Sequence, residues 1–89
     1  MDKETKLISI LNSSSKVVGS RQVLRGISEG IIRCVIIAED ADDNLKNKLV
    51  ESANDKNIEV LFAPSMEWLG RTVNIKVPSA TVGLNEFEA

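Results

Sequence analysis

Apolar residues recur at helical spacing in some segments of this chain and run almost continuously in others. In residues 2–12, Leu7 and Leu11 lie among helix-tolerant charges, which predicts a first amphipathic helix. The serines at 13–15 mark the end of that helix. Lys16–Val18 then reads as a short extended segment, so the chain begins with a helix, a turn and a strand.

The second helix is predicted to begin at Gly19-Ser20, where a glycine permits a turn and a serine hydroxyl can cap the helix. Val23 and Ile27 supply its buried side, and Gly30 ends it. Residues 31–38 are mostly β-branched and apolar, as expected of a strand that is covered on both faces. This segment is therefore predicted to be the central strand.

The same alternation continues to the end of the chain. The later predicted elements are a third helix capped by acidic residues 40–43 and ending near Asn57, a strand at 58–62, a short helix at 64–70 and a strand at 79–84. Alternating helices and strands predict an α/β fold, a three-layer α/β/α sandwich around a small mixed four-stranded sheet. Short connections would gather the functional loops at one edge of that sheet.

Length and composition narrow the function classes. A chain of 89 residues fits one domain, 1–89, without a separate catalytic domain. It has 11 basic and 13 acidic residues and no histidine, so the formal net charge is −2. Metal-hydrolase, serine-triad and cysteine–histidine chemistry are absent in their usual forms. We therefore expect no enzyme, no cofactor and no metal site, and any binding of nucleic acid must come from a local patch.

The single cysteine and the N-terminus bear on location. Cys34 lies in an apolar run, where it is expected to be a small buried hydrophobic residue that forms no disulfide. Residues 1–4 are charged, and no apolar stretch is long enough for a signal peptide or membrane span. A cytoplasmic protein with no membrane partner is predicted.

The first candidate site is the segment 19–25. Its helix start offers unpaired N–H groups beside Arg21, Gln22 and Arg25, and the two arginines, four residues apart, share one face. Residues 16–33 contain four cations and one anion, so basic character is concentrated there. A phosphate-rich ligand suits this arrangement, but spacing alone leaves an ordinary solvated helix face equally open.

Two other clusters favour structural explanations. The carboxylates at 39–43 could hold Mg²⁺, yet acids at a helix N-terminus are favoured by the helix dipole and by capping alone. Trp68 and Met66 could stack on unpaired bases. With three aromatic residues in the chain, packing in the core is the preferred interpretation for Trp68.

Four segments together resemble a known family. Residues 19–25, 35–42, 65–71 and 75–78 are similar, in order and spacing, to the kink-turn-binding ribosomal-protein family, which includes archaeal large-subunit ribosomal protein seven-Ae, eukaryotic protein thirty-e and short bacterial homologues. The likeness spans about residues 5 to 84. It implies an α/β/α sandwich that clamps a kink-turn, an RNA helix bent at a short bulge followed by sheared G·A pairs.

The resemblance also implies the contacts. The family motif Gly-x-Asn-Glu-x-x-Lys matches Gly19, Arg21, Gln22 and Arg25 here, and the loop over a splayed-out bulge nucleotide matches residues 75–77. The predicted RNA-binding set is Gly19, Ser20, Arg21, Gln22, Arg25, Asp42, Arg71, Ile75, Lys76 and Val77.

The chain departs from the family pattern at three positions. Met66 replaces a common lysine, which leaves fewer cations near the bulge, while Asn74 replaces a common glycine and Arg21 an asparagine.

The expected function is that of a monomeric, non-catalytic RNA-binding domain acting on ribosomal or regulatory RNA, with no DNA partner. The alternative is a protein-interaction module of the same fold that has lost strong RNA binding; the net charge of −2 motivates it. A third interpretation, the RNA-recognition part of a methyltransferase, is disfavoured because the sequence contains no cofactor-binding glycine motif.

Overall fold

Helices and strands alternate along the chain in a computed structural model that describes residues 3–13 and 15–86. The elements are α1 (Lys3–Ser13), β1 (Lys16–Val18), α2 (Ser20–Ser28), β2 (Cys34–Ala38), α3 (Asp43–Asp55), β3 (Glu59–Ala63), α4 (Met66–Thr72) and β4 (Thr81–Leu84). Every predicted element is present, with ends that differ from the prediction by at most three residues.

The four strands form one mixed sheet in the order β1-β4-β2-β3. Strand β2 pairs parallel with β3, Val35 facing Val60, and antiparallel with β4, Val35 facing Gly83. Strand β1 pairs antiparallel with β4. All five residues of β2 are buried, which explains its unbroken apolar sequence and confirms its internal position in the sheet.

Each face of the sheet is covered by two helices. Ile36 lies in one cluster with Leu11 of α1 and Leu69 of α4. Its neighbour Val35 points to the other face of the pleat and lies in a second cluster with residues of α2 and α3, such as Val23 and Leu49. The predicted three-layer α/β/α sandwich is therefore confirmed.

The central strand is shorter than its apolar run suggests. The prediction of a strand over 31–38 is wrong at its start, because β2 begins at Cys34. Gly30 has a φ of +76° and turns the chain out of α2. The N–H of Ile31 donates to the carbonyl of Gly26 at 3.0 Å, which ends the helix instead of extending the sheet.

Ile32 fills a space left by two glycines. A Cβ atom at Gly26 of α2 would lie 2.6 Å from Ile32 Cγ1, and one at Gly83 of β4 would lie 2.8 Å from Ile32 Cδ1. Ile32 is 2% exposed. Its apolar character therefore serves packing between α2 and the sheet and not strand pairing.

Helix capping agrees with the sequence at two helices and differs at a third. Asp42 Oδ2 accepts the N–H of Leu45 at 3.2 Å at the start of α3, and Ser65 Oγ accepts the N–H of Trp68 at 3.0 Å in α4. The prediction that Ser20 caps α2 is wrong. Gly19 is the N-cap, no side chain caps this helix, and Ser20 is its first residue.

Two residues of uncertain role prove to belong to the core. Trp68 is half-buried and packs against the cluster that contains Leu11 of α1 and Leu69 of α4, which confirms the core-packing interpretation. Cys34 is fully buried. Burial, and to a smaller extent the charge of Glu59, raises the pKa of the Cys34 thiol to about 12, so it stays protonated at neutral pH. Of the helices in the described residues, none could cross a bilayer.

Candidate functional site

The sheet topology brings the four candidate segments to one edge. Because β1 and β2 both run antiparallel to β4, and β3 runs parallel to β2, the carboxyl ends of β1, β2 and β3 lie beside the amino end of β4. Residues 19–25 follow β1, Asp42 follows β2, Arg71 lies on the helix that follows β3, and residues 75–77 precede β4. We call this edge the loop edge.

Gly19 shapes the start of α2. Its φ of 104° and ψ of 146° belong to a region that only glycine adopts readily. Its N–H donates to the carbonyl of Thr81 at 3.2 Å, which fixes the helix start to β4. A Cβ at this position would lie 2.7 Å from Gln22 Oε1. The missing side chain therefore makes room for the Gln22 amide to fold over the helix start.

Polar groups on the outer face of α2 are available to a ligand. Arg21, Gln22 and Arg25 are exposed, while Val23 is buried beneath them. Arg25 Nε lies 3.8 Å from Glu29 Oε2, but the two side chains are 78% and 55% exposed, so this pair adds little stability. Within residues 3–13 and 15–86, neither Arg21 nor Gln22 has a side-chain partner.

The loop before β4 packs closely on α4. Asn74 has a φ of 63°, a left-handed conformation that asparagine and glycine tolerate better than other residues. The N–H of Ile75 donates to the carbonyl of Gly70 at 3.0 Å. A Cβ at Gly70 would clash with the Val77 carbonyl oxygen. Helix α4 and this loop therefore need a glycine where they meet.

A shallow cleft of about 180 Å³ lies between α4 and this loop. Val77 on its rim is 64% exposed, an unusual degree for a large apolar side chain. Arg71 Nη2 lies 2.6 Å from Glu67 Oε1 in an exposed ion pair. The cleft is lined by Glu67, Arg71, Ile75, Lys76, Val77 and Pro78. It combines apolar surface with two cations, a chemistry that suits an unstacked base and its phosphate.

Hydrogen bonds connect three of the four segments of the loop edge to Ser79, which lies between the 75–77 loop and β4. Asp40 Oδ1 accepts the N–H of Met66 at 2.7 Å, and the carbonyl of Met66 accepts the N–H of Ser79 at 3.1 Å. Ser79 Oγ donates to the carbonyl of Thr81 at 2.9 Å, the same oxygen that accepts the N–H of Gly19. Most acceptors in this chain of bonds are backbone carbonyls, which carry no sequence signal, so sequence reasoning did not find it.

The acidic residues after β2 have structural partners. Asp42 caps α3, which confirms the capping interpretation for this residue, and Asp40 holds the first N–H of α4. The backbone carbonyl of Glu39 accepts the ammonium group of Lys46 at 2.8 Å. In the described part of the chain, no group of three or more metal-ligating side chains is positioned to hold a metal ion.

A family model matches residues 2–89, almost the whole chain, and its description is "Ribosomal protein L7Ae/L30e/S12e/Gadd45 family". The chain belongs to this family. Its curated relatives include an RNA-binding protein of Geobacillus sp. (strain WCH70), which is 37% identical over 75 residues, 84% of this chain and 92% of the relative. RNA-binding protein YbxF of Geobacillus stearothermophilus is 36% identical over the same shares of the two chains.

Solved structures share the L7Ae-family fold. The 15.5kD RNA binding protein of Giardia lamblia superposes with a TM-score of 0.79, covering 99% of this chain and 79% of that chain at 24% identity. A Bacillus halodurans protein of unknown function superposes with a TM-score of 0.81 at 22% identity, covering 97% of this chain and 87% of that one. At such identities the likeness establishes the fold alone.

Proposed function

We propose that this protein binds structured RNA containing a kink-turn and stabilises the bent form by preferring it over the extended form, without chemistry of its own. The RNA is ribosomal or regulatory. Helix α2 enters the groove at the G·A pairs, where Arg21, Gln22 and Arg25 meet base edges and phosphates. The cleft beside Val77 receives the bulged nucleotide.

One observation carries this proposal: the loop edge collects the four segments that resemble the kink-turn-binding pattern. They lie far apart in sequence but adjoin the same ends of the strands. The side chains of Arg21, Gln22 and Lys76 have no internal partner among the described residues, so RNA would displace no bond from them. The relatives named as RNA-binding proteins support the same class of ligand.

The first test is calorimetric titration with two RNAs at fixed salt. One RNA contains a bulge followed by tandem sheared G·A pairs, and the other replaces those pairs with Watson–Crick pairs. We expect markedly tighter binding to the first. Equal, weak binding to both would favour the alternative, a protein-interaction module with the same fold.

A charge-matched pair of variants locates the contact. Arg25→Ala is expected to weaken kink-turn binding by about 1–3 kcal/mol, because it removes a side chain that reads a base edge or phosphate. Arg33→Ala removes the same charge from an exposed residue at the opposite end of β2 and should leave the affinity nearly unchanged. Equal effects of the two variants would show that only overall charge matters.

A further inference from the structure

We propose that Ser79 is a positioning residue that couples helix α2 to the 75–77 loop, so that the two halves of the RNA site act as one unit. The inference rests on the proposed function for its consequence in RNA binding. Its structural part stands on the hydrogen bonds of the loop edge. Ser79 is 4% exposed and therefore does not contact RNA itself.

Ser79 is tied on two sides. Its N–H donates to the carbonyl of Met66 at the start of α4, at 3.1 Å. Its hydroxyl donates to the carbonyl of Thr81 at the start of β4, at 2.9 Å. A buried serine with both donors satisfied holds the chain in one conformation at the point where the loop enters the sheet.

The Thr81 carbonyl joins the two halves of the site. It accepts the Ser79 hydroxyl from the loop side and the N–H of Gly19 from the α2 side. The Thr81 hydroxyl in turn donates to the carbonyl of Ile36 at 2.7 Å, which fixes this residue to the buried strand β2. A shift of the loop end therefore reaches the start of α2 through one oxygen atom.

The loop has few other hydrogen-bond anchors. The N–H of Ile75 is bonded to Gly70 at one end, and the N–H of Ser79 is bonded at the other. Pro78 has no N–H, and the backbone N–H groups of Lys76 and Val77 have no partner in the described residues. Between its ends the loop is held by packing, of Ile75 on the core and of the Val77 carbonyl against Gly70, so its backbone N–H groups are anchored at the two ends.

Ser79→Ala isolates the role of the hydroxyl. It removes one donor without adding volume, and the Thr81 carbonyl keeps the N–H of Gly19, so no buried acceptor is left unpaired. Thr72→Val is the matched control, since the Thr72 hydroxyl also donates to one carbonyl, that of Trp68 at 2.8 Å, but joins only residues within α4. Both variants are expected to fold.

The first readout needs no RNA. Amide hydrogen exchange can be followed by NMR. In Ser79→Ala, the backbone amides of residue 79 and Gly19 should exchange about fivefold faster, the factor expected when a segment loses the stabilisation of one hydrogen bond. The amides of α3 should exchange at unchanged rates. Thr72→Val should leave both amides as they are in the unaltered protein. Unchanged exchange at both amides in Ser79→Ala would overturn the structural link.

The second readout is a double-mutant cycle with kink-turn RNA. Arg25→Ala changes the α2 side and Val77→Ala the loop side. Substitutions at residues that contact separate parts of a ligand normally change the binding free energy additively. In the otherwise unaltered protein, we expect the affinity of the double variant to differ about threefold from the additive value, which would reveal coupling. In the Ser79→Ala background this factor should approach one, and in the Thr72→Val background it should persist.

The outcomes separate the two proposals. Absence of kink-turn preference in the unaltered protein would overturn the proposed function, while the exchange measurement would still decide whether Ser79 links the segments. If kink-turn RNA is preferred but the cycle is additive, or equally non-additive with alanine at position 79, the coupling role is wrong.

Discussion

At the scale of single residues, Gly19 has the most restrictive position in the candidate site. Its backbone lies in a glycine-only region, and its missing Cβ leaves room for Gln22 Oε1. Sequence reasoning singled out the segment 19–25 from its helix start and its arginine spacing, and the resemblance to a motif then predicted RNA contacts for Gly19, Arg21, Gln22 and Arg25. It mistook Ser20 for the cap because serine is favoured there, whereas the backbone of Gly19 occupies that position.

Gly19→Ala is predicted to lower the free energy of unfolding by about 1–3 kcal/mol, through backbone strain, and to weaken kink-turn binding by displacing the Gln22 amide. Gly30→Ala is the control. It also has a positive φ, but a Cβ there would meet no atom within 4 Å. Urea unfolding should show a lower free energy of unfolding in both variants, and titration should show weaker RNA binding in Gly19→Ala alone. Weaker binding in both variants would exclude a specific role for the position of the Gln22 amide.

Cys34 predicts a pH dependence of stability. Burial raises the pKa of the thiol from 9.0 to about 12, so above pH 9 the unfolded chain releases this proton while the folded chain retains it. Unfolding is therefore favoured, and stability falls between pH 9 and 12. At pH 10 the loss should be about 1 kcal/mol.

Urea unfolding at pH 7.5 and pH 10, compared with Cys34→Ala, measures this contribution. The alanine variant is expected to be less stable at pH 7.5 because it leaves a small cavity. Its stability should nevertheless fall less between pH 7.5 and pH 10 than that of the unaltered protein. Identical decreases would show that the buried thiol ionises as readily as the unfolded one.

At the scale of elements, local signals determined most of the fold. β-Branched residues identified β2, and Asp42 with its following helical pattern identified α3. The start of β2 could not be predicted, because the N–H of Ile31 bonds to Gly26 of the preceding helix. Likewise the sequence predicted a strand from Ser79, but β4 begins at Thr81. The N–H of Ser79 donates to the carbonyl of Met66, a contact outside the sheet that the local sequence does not indicate.

Asp42 has a predicted RNA contact and an observed capping role, and two substitutions separate them. Asp42→Asn keeps an N-cap acceptor and should change stability by a few tenths of a kcal/mol, whereas Asp42→Ala should cost about 1 kcal/mol. If the carboxylate contacts RNA, titration of Asp42→Asn will show altered kink-turn affinity at unchanged thermal stability. Unaltered affinity would leave Asp42 with capping alone.

At the scale of the whole molecule, a net charge of −2 limits how the protein attracts RNA. The cations of the predicted site are Arg21, Arg25, Arg71 and Lys76. Electrostatic attraction must therefore come from the loop edge, since the rest of the chain carries an excess of acidic residues. Specific contacts have to supply more of the affinity than in a strongly basic RNA-binding protein.

This limit predicts a shallow salt dependence. With at most four phosphate contacts, a plot of log affinity against log salt should have a slope no steeper than about −4. Titrations at several salt concentrations measure it. A much steeper slope would mean that cations outside the predicted site contact the RNA.

The contact among Gly26, Ile32 and Gly83 has a consequence for how this sequence can change. The two glycines let α2 lie close to the sheet, with Ile32 filling the space between them. A larger residue at either glycine would lift α2 and carry Arg21 and Arg25 away from the 75–77 loop, unless position 32 became smaller at the same time. We therefore expect positions 26, 32 and 83 to evolve together, because these three residues set the distance between α2 and the 75–77 loop.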